Sequence, residues 1–150
     1  MHRFDAASDA LARAVVGYAL ERVRLDPPPL DGTTTLSDLL ARAGRTIGSS
    51  PKDPLDVLRL FTEVLAPSCV SVAHPLHLSF VPGAPTEAAV LFDLVVSASN
   101  IYGGSWLEAS GAVYAENEAL HWLADLAGLP EGSGGTFVSG GSAGNLSALV

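Results

Sequence analysis

The fold is decided by residues 137–145, Phe137-Val138-Ser139-Gly140-Gly141-Ser142-Ala143-Gly144-Asn145. Thr136-Phe137-Val138 predicts a short buried strand, the glycines predict a tight turn, and Asn145 onward predicts the opening of a helix. A helix N-terminus presents free backbone N–H groups and the positive end of a dipole, so this turn is suited to hold a phosphate. The side chains of Ser142 and Asn145 add donors. The alternative is an ordinary strand–helix connection that uses glycine only for its backbone freedom.

Three known motifs compete for the same turn. A P-loop is excluded because no Gly-Lys-Ser/Thr follows, and the glycine spacing of a dinucleotide-binding fingerprint fits poorly. Residues 140–144 do match the nucleophile elbow Gly-x-Ser-x-Gly, with Ser142 as the nucleophile of a serine hydrolase. In that class an acid and then a His follow the Ser, but the eight residues after Ser142 contain neither. The hydrolase remains an alternative.

The rest of the chain predicts helices separated by irregular segments. Proline-rich or glycine-containing stretches at 26–32, 74–85 and 100–106 break the helical pattern. The first predicted helix is Ser8–Arg24 with Ser8 as N-cap, and the second is Leu36–Ala43, ended by Gly44. A third is capped by Asp53 and closed by Pro67, and a fourth runs from Thr86 to Ser99. The fifth is Ala112–Ala127, ended by Gly128 and Pro130.

Composition excludes several classes of protein. The 150 residues carry a net charge of −8 without a basic cluster, which argues against nucleic acid as a partner. No apolar run is long enough to span a membrane, and no signal-peptide pattern is present, so a cytoplasmic protein without a membrane partner is expected. The single cysteine, Cys69, excludes an internal disulfide and is expected to be a small buried residue. No spacing of Cys and His suggests a metal site.

From His74 to Val150 the sequence resembles the N-terminal part of the pyridoxal-phosphate-dependent group II decarboxylases, which include aromatic-amino-acid, glutamate and cysteine-sulfinate decarboxylases. Several blocks match in order and at similar spacing across about half of the chain. They are His74-Pro75 with Phe80-Val81-Pro82-Gly83, the helix Ala89–Leu94, Gly104-Ser105-Trp106, Glu116, Trp122-Leu123 with Leu129-Pro130, and residues 139–146.

The resemblance implies an α/β protein of the fold-type I pyridoxal-phosphate-dependent transferase kind, built as a homodimer with active sites at the subunit interface. Residues 1–72 would be the N-terminal helical dimerisation segment, and 73–150 the incomplete start of the large cofactor-binding domain. Pyridoxal 5'-phosphate would be the cofactor and an L-amino acid the substrate. By the same match, residues Ser142, Ala143, Gly144 and Asn145 would bind the cofactor phosphate. Phe80, Val81, Pro82 and Gly83 would line the substrate pocket, and Tyr102 and Gly104 would contribute to the pocket of the other subunit.

In the resembled family, the Schiff-base lysine, the acid that pairs with the pyridine nitrogen and the ring-stacking His all follow the phosphate turn, beyond residue 150. Lys52 is the only lysine here, and its polar turn before a helix cap predicts a solvated side chain. We therefore expect no catalytic residue in this chain, which reads as an N-terminal fragment that is inactive alone. Gly83 and Gly104 stand where aromatic-amino-acid members carry Thr and Phe, and His77 stands where they carry an aromatic residue, which predicts a differently shaped pocket.

Three functions are therefore open from the sequence. The first is the N-terminal portion of an amino-acid decarboxylase, and the second is a serine hydrolase fragment with Ser142 as nucleophile. The third is a non-catalytic helical interaction module with exposed apolar faces. Trp106 and Trp122 are expected to pack in a core or an interface, and His74 is expected to shape its loop.

Overall fold

The computed structural model describes residues 4–81, 83 and 85–150. Pro82, one of the expected substrate-pocket residues, lies outside the described residues. Two compact units make up the chain, Met1–Leu94 and Val95–Val150. The α-helices are α1 (Ala6–Val23), α2 (Leu36–Ala43), α3 (Pro54–Leu60), α4 (Glu87–Ser99), α5 (Trp106–Leu126) and α6 (Gly141–Leu149).

Helix α1 begins earlier than the sequence pattern predicts. Asp5, not Ser8, is the N-cap: its carboxylate accepts a hydrogen bond from the Ser8 backbone N–H at 2.9 Å and another from the Ser8 hydroxyl at 3.1 Å. The Ser8 prediction was wrong because both residues are good caps and the carboxylate stands one turn earlier. These hydrogen bonds, the backbone one first, hold the pKa of the Asp5 carboxyl below its usual range.

The two short helices of the first unit match their sequence signals. Thr35 caps α2 by accepting from the Asp38 N–H at 3.2 Å, and Gly44 ends that helix at φ +63°. The Asp53 carboxylate caps α3 by accepting hydrogen bonds from the N–H groups of Leu55 and Asp56, and Pro54 takes the first helical position.

Helical structure continues past α3 without a break. A π-helical turn spans Phe61–Leu65, and a single 3-10 turn spans Ala66–Ser68. Pro67 was expected to close this helix, and the helical stretch runs on for one more residue, to Ser68, with Pro67 in the first turn of the 3-10 segment. The helical stretch ends at Cys69, whose backbone is extended at φ −109° and ψ 150°.

Helix α1 and the segment after α3 hold the first unit together. The ring of Tyr18 on α1 meets Phe61 edge-on, with 6.1 Å between the ring centroids. The guanidinium of Arg42, in the last turn of α2, donates to the Glu63 carbonyl at 3.1 Å. The π-helical turn is therefore held on two sides, by α1 and by α2.

Helix α4 has the start predicted for it. The Thr86 hydroxyl oxygen accepts from the Ala89 N–H at 3.2 Å, so Thr86 caps α4 as expected. After Ser99, Asn100 adopts the left-handed conformation at φ +47°, which asparagine tolerates better than most residues.

Helix α5 is longer than predicted. It starts at Trp106 rather than near Ala112, and Ala109 interrupts it with non-helical dihedrals of φ −140° and ψ 41°. Its end follows the prediction: Gly128 stands at φ +69°, its N–H donates to the Asp125 carbonyl at 3.0 Å, and the Leu129 N–H donates to Ala124 at 2.9 Å. This pair of hydrogen bonds is the Schellman motif that glycine favours.

The predicted strand at residues 136–138 is wrong. The backbone there is irregular, and the side chain of Phe137 is 58% exposed rather than buried. A strand requires a neighbouring strand to pair with, and the described ranges 4–81, 83 and 85–150 contain none. Within them the structure is helical, so the α/β class stays an implication of the resemblance.

Little apolar surface is buried in this chain. Of the described residues, only Ala109 and Ser71 are buried, and most of the large apolar side chains of α4 and α5 are exposed. Trp106 and Trp122 are exposed, and so is Cys69, contrary to the expectation of a buried cysteine. None of the described helices is long and apolar enough to cross a membrane.

Candidate functional site

The N-terminus of α6 is the strongest candidate site. The first helical hydrogen bond runs from the Gly144 N–H to the Gly140 carbonyl at 3.1 Å. The N–H groups of Gly141, Ser142 and Ala143 precede it, so they have no acceptor inside the helix. No side chain caps this end, unlike the starts of α1, α2 and α3. Three backbone donors therefore converge on one uncapped helix end.

This geometry changes the role expected of one residue. The resemblance assigns Gly144 to the backbone that would bind the phosphate, but the Gly144 N–H already donates to the Gly140 carbonyl. Its glycine identity has another reason: a Cβ on Gly144 would stand 3.3 Å from Cγ2 of Val138. Gly144 therefore lets the helix lie close to the segment that leads into it. Ser142 and Asn145 are exposed, so both polar side chains are accessible near this end.

The surroundings of this helix end favour an anion. Residues 132–150 contain no charged side chain, so no carboxylate of this stretch repels a negative ligand. Apart from the adjoining residues and the backbone of α6, no described atom lies within 4 Å of the position that a Cβ on Gly140 or Gly141 would take. A ligand can therefore approach the main chain directly, attracted by the backbone amides and the helix dipole.

The same geometry weighs against Ser142 as a hydrolase nucleophile. In a nucleophile elbow the Ser stands on a strained turn between a strand and a helix. Ser142 instead occupies the second position of α6, residues 136–138 form no strand, and the left-handed non-glycine residues of the described chain are Phe80 and Asn100. Ser142 has the backbone of an ordinary helix start.

Tyr102 and Gly104 lie against each other in the second unit. A Cβ on Gly104 would stand 2.7 Å from Cε1 of Tyr102, and closer still to Cζ and Oη. The tyrosine ring therefore covers the face that a side chain at residue 104 would occupy. Both residues are otherwise exposed to solvent. The absence of a side chain at Gly104 is thus what permits this ring position.

Residues 71–77 form two successive turns, closed by the backbone N–H groups of His74 and His77. The His74 N–H donates to the Ser71 carbonyl at 3.0 Å, and the His77 N–H donates to the His74 carbonyl at 2.8 Å. Nδ1 of His74 accepts from the Leu76 N–H at 3.0 Å, so the neutral ring carries its proton on Nε2. These contacts are those of a loop-shaping residue, as expected for His74.

Phe80 and Val81 present their side chains outward at the end of these turns. Phe80 is 95% exposed and has a left-handed backbone, φ +62°, which is uncommon for an aromatic residue. Its ring stacks on His77 with centroids 6.4 Å apart, while Nε2 of His77 is buried without a hydrogen-bond partner among the described residues. The structure thus brings His77 to Phe80, an association that the sequence reasoning did not predict.

A polar cluster in the first unit was missed at the sequence level. The Ser71 hydroxyl donates to Oδ2 of Asp31 at 3.3 Å, and Arg22 Nη2 lies 3.7 Å from the same oxygen. A cavity of about 370 Å³ borders this cluster, lined by Arg22, Asp26, Ser71 and apolar residues between Val23 and Pro85. No local pattern joins residues 40 positions apart, so the sequence offered no signal for this contact.

Other chemistry-bearing residues stand apart. Lys52 is exposed in the loop before α3, as its polar turn predicts. In residues 4–81, 83 and 85–150, no three His, Cys, Asp or Glu side chains gather where a metal ion could be held.

Amino-acid decarboxylases are the class of protein to which this chain is similar. An aromatic-L-amino-acid decarboxylase of Bacillus atrophaeus is 31% identical over 126 residues, which make up 84% of this chain and 26% of that protein. Tryptophan decarboxylase 1 of Oryza sativa subsp. japonica is 33% identical over 78 residues, 51% of this chain and 15% of the rice protein. An L-2,4-diaminobutyrate decarboxylase of Rhizobium meliloti is 32% identical over 78 residues, covering 52% of this chain and 16% of that enzyme.

These matches confirm the resemblance: the chain is related in sequence to the pyridoxal-phosphate-dependent group II decarboxylases. It spans about a quarter of the length of the Bacillus protein and less of the other two. No family model matches the chain. No solved structure matches it at a significant level.

Proposed function

We propose that this chain is the N-terminal portion of a carboxy-lyase that removes CO2 from an L-amino acid with pyridoxal 5'-phosphate as cofactor. The observation that carries the proposal is the uncapped N-terminus of α6, with its free N–H groups at Gly141, Ser142 and Ala143. The sequence similarity to three amino-acid decarboxylases supports the reaction class.

The residues at this helix end fit the phosphate group of the cofactor. A phosphate offers several acceptor oxygens and a negative charge, which match convergent backbone donors and the positive end of a helix dipole. A Cβ on Gly140 or Gly141 would meet no neighbouring side chain, so a ligand atom can come close to the main chain there. When bound, the cofactor supplies the electron sink that the loss of CO2 requires.

In this proposal the chain binds and orients the cofactor, and none of its residues transfers a proton. The amides of residues 141–143 anchor the phosphate, and the Ser142 hydroxyl and the Asn145 amide add side-chain donors. Gly144 takes part by letting α6 lie against Val138, where a Cβ would stand only 3.3 Å from Cγ2. A fixed phosphate orients the rest of the cofactor, and orientation is a main part of what a protein adds to cofactor chemistry.

The substrate pocket is proposed to include two further sets of residues. Phe80, Val81 and Gly83 would line it, together with Pro82 as the resemblance implies. Phe80 and Val81 are almost fully exposed in this chain, so their apolar side chains are available to exclude water from a substrate. Tyr102 and Gly104 would contribute to the pocket of the second subunit of a fold-type I homodimer.

The test uses the natural full-length protein, titrated with pyridoxal phosphate. A visible absorbance band of the bound cofactor that borohydride fixes covalently, together with CO2 release from an L-amino acid, is the expected result. No band and no CO2 from a folded protein would overturn the proposal. Labelling of Ser142 by a fluorophosphonate would establish the hydrolase instead, and neither signal would favour the interaction module.

A further inference from the structure

The Arg22–Asp31–Ser71 cluster joins three parts of the first unit. Arg22 lies in the last turn of α1, Asp31 follows the proline-rich linker, and Ser71 begins the turns that lead to Phe80. Ser71 is only 6% exposed, and its hydroxyl donates to Oδ2 of Asp31 at 3.3 Å. Arg22 Nη2 stands 3.7 Å from that same oxygen.

Each member of this cluster depends on the others. A buried hydroxyl without a partner is costly, and so is a covered carboxylate without a cation. The side chain of Asp31 is 18% exposed, which places it among the better-covered acidic groups of a chain whose other ion pairs are on the surface. Because one carboxylate oxygen meets both partners, Asp31 fixes where Ser71 lies relative to α1.

A series of contacts leads from Ser71 to Phe80. The Ser71 carbonyl accepts from the His74 N–H, the His74 carbonyl accepts from the His77 N–H, and the His77 ring stacks on Phe80. Phe80 follows these turns, with a left-handed backbone at φ +62° and a side chain that is 95% exposed. A shift of Ser71 would therefore reach Phe80 through these two turns and the His77 ring.

We propose that Asp31 is a positioning residue. Through Ser71 it fixes the position of the turns that lead to Phe80, and so it influences which amino acid the substrate pocket accepts. Its effect on specificity rests on the proposed function, because that assigns Phe80 to the pocket. Its effect on the turns does not, since these contacts are made by residues of this chain alone. Asp31 touches no reacting atom in this scheme.

Hydrogen exchange of the cofactor-free full-length protein tests the effect on the turns. In Asp31→Ala and Ser71→Ala we expect the amides of His74 and His77 to exchange about tenfold faster, since each variant removes one hydrogen bond to a charged or buried group. Asp31→Asn keeps an acceptor for the hydroxyl and should give a smaller increase. The control is Asp9→Asn, which weakens the exposed ion pair between Asp9 and Arg13 on α1, the helix that also carries Arg22.

Two results would overturn the proposal. One is unchanged exchange at His74 and His77 in Ser71→Ala and Asp31→Asn, the two variants that best preserve the fold. The other is equal acceleration in α3, which would show general destabilisation instead of a local effect. Failure of the full-length protein to bind pyridoxal phosphate would refute the proposed function and leave the exchange result standing.

Substrate discrimination tests the effect on the pocket. For two amino acids that differ in side-chain size, the ratio of their kcat/KM values should change at least about threefold in Asp31→Asn, while the affinity for pyridoxal phosphate stays constant. A merely structural residue would lower both kcat/KM values together. An unchanged ratio accompanied by faster exchange would therefore overturn the specificity role.

Discussion

Replacing Gly141 with proline removes one donor from the candidate phosphate site and keeps the helix. Proline is favoured at the first helical position, where its missing N–H has no intrahelical partner. The preceding residue must be extended, and Gly140 already is, with φ 164° and ψ 165°. Gly141→Pro therefore deletes a ligand contact without deleting a structural one.

The size of the effect follows from the number of donors. Three N–H groups, those of Gly141, Ser142 and Ala143, precede the first bonded amide of α6. Loss of a hydrogen bond to a charged acceptor costs about 1.5–3 kcal/mol, or about 10- to 150-fold in the dissociation constant. We expect Gly141→Pro to weaken pyridoxal phosphate binding by a factor in that range.

The assay titrates the cofactor-free full-length protein and compares pyridoxal phosphate with pyridoxal, which lacks the phosphate. Gly141→Pro should weaken the first and leave the second unchanged, while circular dichroism shows that helix content is retained. Ser147→Ala is the matched control, because Ser147 lies on the same helix and its exposed hydroxyl donates to the Ala143 carbonyl, away from the three free N–H groups. Equal affinity of wild type and Gly141→Pro for pyridoxal phosphate, with the helix intact, would refute the phosphate site.

Three further predictions concern local features. Asp53→Ala removes the side-chain cap of α3 and should lower the free energy of unfolding by about 1 kcal/mol in urea denaturation, whereas an unchanged midpoint would contradict the cap. Because its hydrogen bonds with Ser8 lower the pKa of Asp5, this cap stabilises α1 above the unfolded-state pKa and is lost as pH falls through the folded-state pKa. A carboxyl titration by NMR that places Asp5 at or above the usual range would disprove this. Gly104→Ala should displace the Tyr102 ring at little cost in stability, since a Cβ there meets only the outer ring atoms. The NMR signals of that ring should then show increased mobility relative to the wild type.

Helix ends were predicted best from the sequence where a single residue has the capping role and its effect depends only on neighbouring backbone atoms. Asp53 with Pro54, Thr86, and Gly128 with its left-handed backbone all act where predicted, because capping depends on a few neighbouring atoms. The start of α1 was misplaced because Asp5 and Ser8 compete for one role. A local pattern cannot decide between two adequate caps.

Features that depend on distant residues were not predictable in this way. The strand predicted at 136–138 would need a partner strand, and the irregular backbone there shows that an apolar run alone does not make one. The contact of Asp31 with Ser71 joins residues 40 positions apart, and only packing brings them together. The phosphate site stays a prediction, which the sequence allows because its donors are consecutive backbone amides. The hydrogen bond that already occupies the Gly144 N–H was found only in the structure.

A binding site made of main-chain amides has no proton of its own to gain or lose. The stretch 132–150 carries no ionisable side chain, so acid or base does not alter its charge near neutral pH. A phosphate ester held there changes its own charge near about pH 6, at its second ionisation. The pH dependence of such a complex would therefore come from the ligand. The protein offers the same partial positive charge on both sides of this pH, so the dianion would bind more tightly than the monoanion.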